Sequence, residues 1–464
     1  MDILLAHGYF LSEDAAERRV MKPYPTLGLL YLSAYLKRTG FSVRIFDSTF
    51  DTLDSFETLL DKERPSVLGL YCNLMTKFNV LKMIALAKKV GALVVLGGPE
   101  PANYAEEYLV RGADVIVLGE GEQALEELLP SLARYKLNKL DDIAGIVFRR
   151  DDGAVIRTLP RAQIADLDSL PDPDREAINL HSYLDTWKKH HGASSISLIT
   201  ARGCPYHCEW CSHAVYGYTH RRRSPHRVVD EVEYLLGRYQ PDQLWYADDV
   251  FTIKHSWFFE YAAELKRRNI RIPFECISRA DRLNEQVIQA LADMGCYRLW
   301  IGSESGSQSI LDGMRRGVKV EQVQAMTHAL KRHGIQTGMF IMLGYEGEDR
   351  RDIEATAEHL KRSAPDVFLT TLAYPIKGTP YYQKVEDRIL AAADWDNRSD
   401  RQLSVIGRRS RRYYSFANRW LVNTVSFDRE MKDGGSPVKM VKAAVNIAIG
   451  RAGMWMTEKE LETK

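Results

Sequence analysis

The chain has 464 residues, of which 45% are hydrophobic and 27% are charged, and its formal net charge at pH 7 is +1. This composition predicts a soluble globular protein of two or three domains, and the near-zero charge excludes a global field that would attract nucleic acid. The sequence contains no run of about 18 apolar residues, so a transmembrane helix is not expected.

Six cysteines, three of them clustered, do not form the pattern of a disulfide framework. We therefore expect a reducing, cytoplasmic location, and the acidic, strand-like N-terminus does not indicate a signal peptide. The three isolated cysteines, Cys72, Cys276 and Cys296, are expected to be small buried apolar residues.

Short apolar runs alternate with helical stretches in residues 1–135. Strands are predicted at 3–6, 43–46, 67–71, 93–96 and 115–118, and helices at 26–39, 52–60, 79–90, 103–111 and 122–132. The alternation predicts an α/β domain in which helices cover both faces of a parallel sheet, as in doubly wound Rossmann-like or flavodoxin-like folds.

Three glycine-containing loops of this domain are candidate ligand contacts, because ligands of such sheets lie at the carboxyl ends of the strands. The loops are His7-Gly8, Gly97-Gly98-Pro99 and Gly119-Glu120-Gly121. None fits the G-x-G-x-x-G pattern, so a dinucleotide is a weak hypothesis. The residues alone indicate a flat or phosphate-bearing ligand, or no ligand.

Residues 136–193 are predicted to connect this domain to the next. An Asp-Gly turn at 151–153 between apolar runs predicts a β-hairpin, and the Pro/Asp-rich segment 166–174 predicts a linker. His190 and His191 could be read as a metal-binding pair, but we expect them to be solvated residues on a loop.

The next segment contains Cys204, Cys208 and Cys211 in a C-x3-C-x2-C pattern, directly after a strand-like run at 196–200. Three thiolates at this spacing can hold three irons of a 4Fe–4S cluster, for which thiolates are the usual ligands. The fourth iron would remain open to a small molecule. The alternative is a structural zinc site with His207 or His213 as the fourth ligand.

Strand and helix patterns alternate again in residues 194–385. After the run at 196–200, strands are predicted at 243–246, 274–278, 298–301, 337–342 and 367–373, and helices at 225–238, 255–268, 284–294, 307–314, 320–333 and 350–363. Six such units predict a partial (β/α)6 barrel with its chemistry at the carboxyl ends of the strands. Residues 386–464 are predicted to form a helical C-terminal segment.

The cysteine loop, with Trp210 directly before its last cysteine, resembles that of the radical S-adenosylmethionine (SAM) enzymes. The resemblance implies that the open iron binds the amino and carboxylate groups of SAM. It also implies that an electron from the cluster cleaves SAM to a 5′-deoxyadenosyl radical. No residue is assigned as a catalytic acid or base.

The resemblance further implies SAM contacts at the ends of successive strands. Tyr246, Asp248 and Asp249 are expected near the amino group of SAM. Ser278 and Arg279 follow the next strand, and Arg279 is expected to pair with the SAM carboxylate. Glu304 is expected to contact the amino group or the ribose of SAM. Each has a structural alternative as a helix cap, a salt-bridge partner or a surface residue. Residues 340–348 resemble the family's motif near the adenine, although Tyr345 stands where the family usually has Pro.

The first domain resembles the cobalamin-binding domain that precedes the radical core in one large subclass. The similar segments are 23–32, Phe46-Asp47, 97–99 and 119–122, and the resemblance implies that the three glycine loops contact cobalamin. The D-x-H-x-x-G motif of other cobalamin proteins is absent from the sequence, and His7 fits no such pattern. We therefore expect the nucleotide tail to be displaced from cobalt with no histidine in its place. The alternative is a fold that has lost its cofactor.

Two basic segments remain. Arg221-Arg222-Arg223 is expected to be a solvated run rather than a phosphate site. Near the C-terminus, apolar residues recur at helical spacing among basic ones: Val438, Val441, Val445, Ala448, Ile449 and Ala452 among Lys439, Lys442 and Arg451. This helix is expected to cap the open end of the barrel, and the alternative is peripheral contact with a membrane.

These features together predict an enzyme with a 4Fe–4S cluster, SAM and cobalamin, supplied with electrons by an external donor of the flavodoxin or ferredoxin type. The resemblance implies methylation of an unactivated carbon or phosphorus of a small molecule, through a 5′-deoxyadenosyl radical and methylcobalamin. If the C-terminal helix contacts a membrane, a lipid-like or hydrophobic substrate is expected. Ring formation or rearrangement with the same cofactors is one alternative. A zinc-stabilised binding protein without catalysis is the other.

Overall fold

The computed structural model describes residues 1–150 and 152–463, so Asp151 of the predicted turn lies outside the described residues. The chain folds into two compact units. Unit 1 comprises Met1–Pro205 and Ser212–Trp245, and unit 2 comprises Tyr206–Cys211 and Tyr246–Lys464.

A seven-stranded sheet organises unit 1. Its strands are Ile3–His7, Val43–Phe46, Val67–Tyr71, Leu93–Gly97, Val115–Val117, Ile146–Arg149 and Val155–Arg157. The first five are parallel in the spatial order 2-1-3-4-5, which is the flavodoxin-like order and confirms the predicted doubly wound domain. The strand order reverses next to Ile3–His7, and that is where ligands of such sheets bind.

The sheet is covered by helices that agree closely with the predicted ones. They are Leu27–Arg38, Leu53–Glu63, Lys77–Lys89, Pro99–Asn103, Ala105–Val110 and Glu122–Tyr135, and the shorter Glu17–Val20 precedes them. One helix predicted at 103–111 is instead two short helices that meet at Tyr104. Buried aliphatic residues such as Leu5, Leu36 and Leu128 form the core between sheet and helices.

The predicted hairpin extends this sheet. Ile146–Arg149 pairs antiparallel with Val115–Val117 and with Val155–Arg157. Two backbone hydrogen bonds close the turn, from the Arg150 N–H to the Ala154 carbonyl and from the Gly153 N–H to the Arg150 carbonyl, both 2.9 Å.

One element of the connector was predicted wrongly. His190 and His191 lie in the last turn of helix Leu180–His191, not on a loop, and the Nε2 atom of His191 lies 3.0 Å from the Val20 carbonyl oxygen. Leu180, Tyr183, Leu184 and Trp187 are buried along one face at helical spacing. The indole N–H of Trp187 donates to the Pro23 carbonyl at 2.8 Å, which fixes this helix on unit 1.

The second sheet has six strands that lie side by side in chain order. They are Ser195–Leu198, Gln243–Tyr246, Phe274–Ser278, Cys296–Glu304, Gln336–Leu343 and Val367–Leu372, and the last four pair in parallel. Two strand pairs of two residues each also occur, Ala201–Arg202 with Arg221–Arg222 and Ile389–Leu390 with Ser404–Val405. The sequential order is that of the predicted (β/α)6 partial barrel.

The helices between these strands begin and end within two residues of the predicted bounds. They are Pro225–Tyr239, His255–Arg267, Glu285–Met294, Gln308–Gly313, Val320–Arg332 and Arg350–Ser363. Capping residues in the sequence explain this accuracy. The Asn284 side chain accepts from the Val287 N–H, and Asp349 and Asp352 form a capping box.

In the described part of the C-terminal segment, three α-helices follow the barrel: Pro380–Val385, Arg411–Lys432 and Pro437–Met456. The last two pack against each other through small residues, and Gly450 lies directly against Trp420. The apolar face expected to cap the barrel is exposed instead, since Val438 and Val441 are 77% and 65% exposed. Within the described ranges, no helix is both long enough and apolar enough to cross a membrane.

Candidate active site

The cysteine loop begins after strand Ala201–Arg202, with Cys204 in unit 1 and Cys208 and Cys211 in unit 2. Cys208 is 3% exposed, and the Cys211 N–H donates to its carbonyl at 3.3 Å. The predicted second ligand is therefore buried within unit 2, where nearby charges determine its protonation.

Two arginines face the Cys208 sulfur. The Nη1 atoms of Arg316 and Arg279 lie 3.5 Å and 3.7 Å from its Sγ atom. Hydrogen bonding with Cys211, followed by the charges of these two guanidinium groups, lowers the pKa of Cys208 to about 5. The two guanidinium charges therefore favour the thiolate form of Cys208, which is the form that binds iron.

The two guanidinium groups are fixed by other protein groups. Two nitrogens of Arg316 donate to the Gly302 carbonyl, Nη2 at 2.8 Å and Nε at 3.2 Å. Arg279 donates to the Arg316 carbonyl at 2.7 Å and to the Asp281 carboxylate at 2.8 Å, and it lies 3.7 Å above the Tyr206 ring centroid. Arg279 therefore contacts the cysteine loop directly, and its pairing with the SAM carboxylate stays a prediction.

Glu209, between Cys208 and Cys211, anchors the loop. Its carboxylate accepts a hydrogen bond from the Tyr345 hydroxyl at 2.8 Å. The same carboxylate forms an ion pair with Arg315, at 3.0 Å. Its backbone N–H donates to the Met314 carbonyl, and its carbonyl accepts from the Tyr381 N–H at 2.9 Å. Tyr345, which stands where a proline is usual in the family, thus ties the loop after the fifth strand to the cysteine loop.

Glu304 ends the fourth strand of the barrel in a strained conformation. Its φ of 60° lies in the left-handed region, next to a register shift between Gly302 and Glu304. One carboxylate oxygen lies 3.8 Å from Arg316, and burial raises the pKa of Glu304 to about 7. A buried, strained carboxyl group at a strand end is typical of a ligand-binding residue.

The other predicted SAM contacts differ in exposure. At the second strand's end Asp248 is 1% exposed, whereas Asp249 is exposed. The Tyr246 hydroxyl lies 2.5 Å from that of Tyr261, within a cluster of aromatic rings. The Ser278 hydroxyl lies 2.6 Å from that of Thr252. Of these residues, Asp248 has the position best suited to a buried ligand contact.

The alternative zinc site is not assembled in unit 2. Cys208 is buried whereas His207, one residue before it, is exposed. Among the residues that the structure describes, no group of three or more Cys, His, Asp or Glu side chains could hold a single metal ion. A 4Fe–4S cluster does not need such convergence, because each thiolate binds a different iron.

In unit 1 the three glycine loops all lie at the carboxyl edge of the sheet, as predicted. Gly98 has a φ of 108°, and a Cβ atom there would lie 2.3 Å from the Cys72 carbonyl oxygen. A Cβ on Gly97 would meet nothing within 4 Å, so this loop borders open space. Pro99 then starts a helix at its first position. At Gly97 the backbone at this edge is therefore accessible to a ligand.

His7 is held by its neighbours. Its Nε2 atom lies 3.1 Å from an Asp47 carboxylate oxygen, and its Nδ1 atom accepts from the Tyr9 N–H at 3.3 Å. The Tyr183 hydroxyl lies 2.9 Å from both Asp47 oxygens. Burial would raise the pKa of Asp47, but its hydrogen bonds with His7, Tyr183 and the Thr49 N–H lower it. Both imidazole nitrogens of His7 are thus engaged by protein. The next residue, Gly8, packs against Val80.

The Glu120 carboxylate is engaged by other groups of unit 1. Its carboxylate accepts from Arg202 at 2.6 Å, from Arg221 at 2.8 Å and from the Ile164 N–H at 2.9 Å. Arg223 is 5% exposed and pairs with Glu231. The expectation of a solvated basic run is therefore wrong for Arg221 and Arg223, because buried carboxylates attract them into unit 1.

Sequence reasoning missed Arg316, Glu209 and the role of Tyr345. Arg316 follows a short helix and fits no motif, so only the fold brings it to Cys208. Glu209 could have been noticed as a carboxylate inside the cysteine loop. The residues present fit a cluster, because a thiolate is stabilised, and they fit a corrin, because the loop at Gly97 opens onto free space.

The chain matches two domain families. Residues 18–129 match the B12 binding domain and residues 198–360 match the Radical SAM superfamily. The chain is 27% identical over 393 residues to an uncharacterized methyltransferase of Pyrococcus horikoshii. The aligned residues make up 83% of this chain and 83% of that methyltransferase. It is 26% identical over 402 residues to the anaerobic magnesium-protoporphyrin IX monomethyl ester cyclase of Rubrivivax gelatinosus, covering 84% of this chain and 71% of the cyclase. It is also 25% identical over 381 residues to the hopanoid C-3 methylase of Methylococcus capsulatus, covering 80% and 70%.

Two solved structures have a similar fold. TsrM, a radical SAM methyltransferase from Kitasatospora setae solved with cobalamin and a [4Fe-4S] cluster, superposes with a TM-score of 0.70 at 19% identity, over 84% of this chain and 77% of TsrM. OxsB, a cobalamin-dependent SAM radical enzyme solved with aqua-cobalamin, superposes with a TM-score of 0.74 at 16% identity, over 98% of this chain and 72% of OxsB.

A partial barrel with three cysteines after its first strand defines a radical SAM enzyme, and the domain before it is a B12 binding domain. The chain belongs to the cobalamin-dependent radical SAM enzymes. Its cofactors are a 4Fe–4S cluster, SAM and cobalamin, and enzymes of this kind act on small molecules with an external reductant.

Proposed function

We propose that this enzyme transfers a methyl group to an unactivated carbon, or to phosphorus, of a hydrophobic small molecule. When bound, the cluster supplies the electron that cleaves SAM, and cobalamin supplies the methyl group. The observation that carries the proposal is a B12 binding domain in the same chain as a three-cysteine loop in which Arg279 and Arg316 face the Cys208 sulfur. Two of the relatives are named as a methyltransferase and a methylase.

The proposed cluster ligands are Cys204, Cys208 and Cys211. Arg279 and Arg316 offset the negative charge of the Cys208 thiolate, and Glu209 fixes the loop between two ligands. These contacts hold the loop in one conformation, so the cysteine side chains that would hold the cluster are positioned before it binds.

The proposed SAM contacts are Tyr246, Asp248, Asp249, Ser278, Arg279 and Glu304. Asp248 and Glu304 have the strongest support, because both are buried carboxyl groups at strand ends. A carboxylate at either position would accept hydrogen bonds from the SAM ammonium group. With its pKa near 7, Glu304 can exist in either protonation state at neutral pH before the ligand arrives.

The proposed cobalamin contacts are the glycine loops at 97–99 and 119–121, together with His7 and Gly8. The loops bring backbone, not bulky side chains, to the sheet edge. Because both nitrogens of His7 are engaged, it would contact cobalamin by packing and would not ligate cobalt.

A hydrophobic substrate is supported by the relatives. Two of them are named for a hopanoid and for a magnesium-protoporphyrin ester, which are large and mainly apolar molecules. Such molecules partition into membranes, and the exposed apolar face of the C-terminal helix would allow peripheral contact there. The proposed electron donor is a flavodoxin or ferredoxin.

The test is an anaerobic incubation of the reconstituted enzyme with SAM carrying a trideuterated methyl group, a one-electron reductant, and a total lipid extract of the source organism. We expect deuterated methyl in one lipid species, with deoxyadenosine and S-adenosylhomocysteine formed together. Deoxyadenosine without labelled product or S-adenosylhomocysteine would contradict methyl transfer. It would support the second candidate, ring formation, which the similarity to a cyclase favours.

A further inference from the structure

Helix Pro437–Met456 is apolar on two opposite faces. One face is buried against helix Arg411–Lys432 through Ala443, Gly450, Gly453 and Met454. The opposite face is exposed: Val438 77%, Val441 65%, Val445 53%, Ile449 40%, Trp455 71% and Met456 61%. An apolar surface along five turns of helix is larger than the scattered apolar residues of an ordinary protein surface.

Basic residues border this exposed face on both sides. At about 100° per residue, the six exposed apolar residues and Ala444, Ala448 and Ala452 fall on one continuous arc. Arg451 lies at one border of the arc and Lys442 lies at the other, and the exposed Lys439 lies further round the helix on the side of Lys442. The segment 437–456 contains no Asp or Glu in its sequence.

The two C-terminal helices together carry a positive net charge, the same sign as the basic residues beside the apolar arc. The helices Arg411–Lys432 and Pro437–Met456 contain eight Lys or Arg residues and two Asp or Glu residues. Lys439 lies 3.4 Å from Glu430 and Arg451 lies 3.7 Å from Glu354, but the two basic side chains are 70% and 60% exposed. Exposed pairs of this kind are weak, so both cations can turn to an external anion.

We propose that this surface, the C-terminal apolar face, docks on an anionic lipid bilayer. The apolar arc enters the boundary of the acyl chains, the basic borders extend to the lipid phosphates, and Trp455 lies at the interface. A second copy of the chain fits less well, because pairing of two such faces would bring their basic borders together. The inference rests on the proposed function only in that a bilayer is where a hydrophobic substrate would be found.

The test is co-sedimentation of the full-length protein with vesicles of phosphatidylcholine alone and of phosphatidylcholine with phosphatidylglycerol, without SAM or reductant. We expect sedimentation with the anionic vesicles and little with the neutral ones. Because no turnover is involved, a protein that binds vesicles but methylates nothing would contradict only the proposed function. A protein that methylates but does not sediment would contradict only this inference.

Two double variants and two matched controls locate the surface. The first double variant, Val441→Ser with Val445→Ser, removes apolar contact with the acyl chains. The second, Lys442→Glu with Arg451→Glu, removes basic residues that each contribute about 1 kcal/mol near an anionic surface. Each double variant should weaken sedimentation about fivefold or more. The controls are Val110→Ser with Leu159→Ser, at residues 64% and 79% exposed, and Arg267→Glu with Arg332→Glu, whose side chains are 65% and 61% exposed. Both controls should sediment as the unaltered protein does.

Three results would overturn the proposal. The first is no sedimentation with anionic vesicles, and the second is equal sedimentation with neutral and anionic vesicles. The third is a dimer seen by light scattering that Val441→Ser with Val445→Ser dissociates, which would assign the face to a second copy.

Discussion

Around Cys208, two guanidinium groups lie within 3.7 Å of a sulfur that is proposed to ligate iron. Positive charge beside a cluster favours its reduced, more negative form. Arg316→Leu should therefore make the reduction potential more negative. Two charges about 6 Å apart at an effective dielectric constant of about 20 interact by about 3 kcal/mol, so the shift should be on the order of 100 mV. An EPR-monitored redox titration measures it.

Arg298→Leu is the matched control. Arg298 lies near the start of the strand Cys296–Glu304, about 20 Å along it from Glu304. Its loss should leave the potential unchanged. A potential for Arg316→Leu that is unchanged, or more positive, would contradict the proposed electrostatic role of Arg316.

Tyr345 and Tyr381 are neighbouring buried tyrosines with different hydroxyl environments. The Tyr345 hydroxyl donates to Glu209, whereas the Tyr381 hydroxyl makes no hydrogen bond to the described residues of the cysteine loop. Losing a hydrogen bond to a buried carboxylate costs about 1–3 kcal/mol. Tyr345→Phe should release cluster iron to a chelator severalfold faster, and Tyr381→Phe should not. Equal rates for the two variants would exclude Tyr345 as an anchor of the cysteine loop.

Glu348 gives the stability of unit 2 a pH dependence. Burial raises the pKa of Glu348 to about 8 from its ordinary value of 4.5, although the Gly344 N–H donates to it at 2.6 Å. The folded state therefore binds this proton more tightly than the unfolded state does. The resulting stabilisation is full below pH 4.5 and is lost as the pH rises to about 8.

Glu348→Gln should remove this pH dependence, because the amide stays neutral and can still accept from Gly344. Between pH 5 and 8, the thermal midpoint of the unaltered protein should fall relative to that of the variant, by an amount that corresponds to on the order of 2–4 kcal/mol. Glu346→Gln, at a side chain 30% exposed, is the control and should keep the decline. Parallel curves for Glu348→Gln and the unaltered protein would show that Glu348 is ionised when folded.

Residues with a direct chemical role were easier to predict from the sequence than the residues that position them. The cysteine spacing and Glu304 are visible in the sequence, because they belong to motifs at strand ends. Arg316 and Glu120 acquire their partners only when distant segments meet, at 108 and 82 residues of separation. No local pattern carries that information.

At the level of elements, strands and helices were predicted well where periodicity and capping agreed. The predicted hairpin and the helices after Ser224, Asn284 and Asp349 illustrate this. Helix Leu180–His191 was not predicted, because the polar and basic residues of its last turn hide the helical spacing of the apolar face before them. The C-terminal helix was predicted, but its environment was not, because an apolar face does not indicate what covers it.

The two C-terminal helices depend on close contact at Gly450. A Cβ atom there would lie 2.8 Å from the Trp420 backbone nitrogen, which cannot move independently of its helix. Gly450→Ala should lower the thermal midpoint, by overpacking that costs about 1–3 kcal/mol, and should speed proteolysis of the C-terminal helices.

Gly237→Ala makes the same change in helix Pro225–Tyr239, where a Cβ atom would meet nothing within 4 Å. Because Ala favours helix more than Gly does, by about 1 kcal/mol, this control should be neutral or stabilising. Destabilisation of similar size in both variants would show that the contact with Trp420 is not tight.

For the whole molecule, the order of domains was predictable because each has its own alternation of strands and helices. The flavodoxin-like strand order and the addition of the connector hairpin to the first sheet required the structure. One chain therefore binds both an iron–sulfur cluster and a corrin.

The most direct test is metal and cofactor analysis of the anaerobically reconstituted full-length protein. We predict about four irons and four sulfides per chain, bound corrinoid, and an EPR signal of the reduced cluster that changes when SAM is added. Cys208→Ala should lose the SAM-dependent change and keep the corrinoid. A colourless protein with one zinc per chain, or a Cys208→Ala variant that still cleaves SAM, would contradict the account.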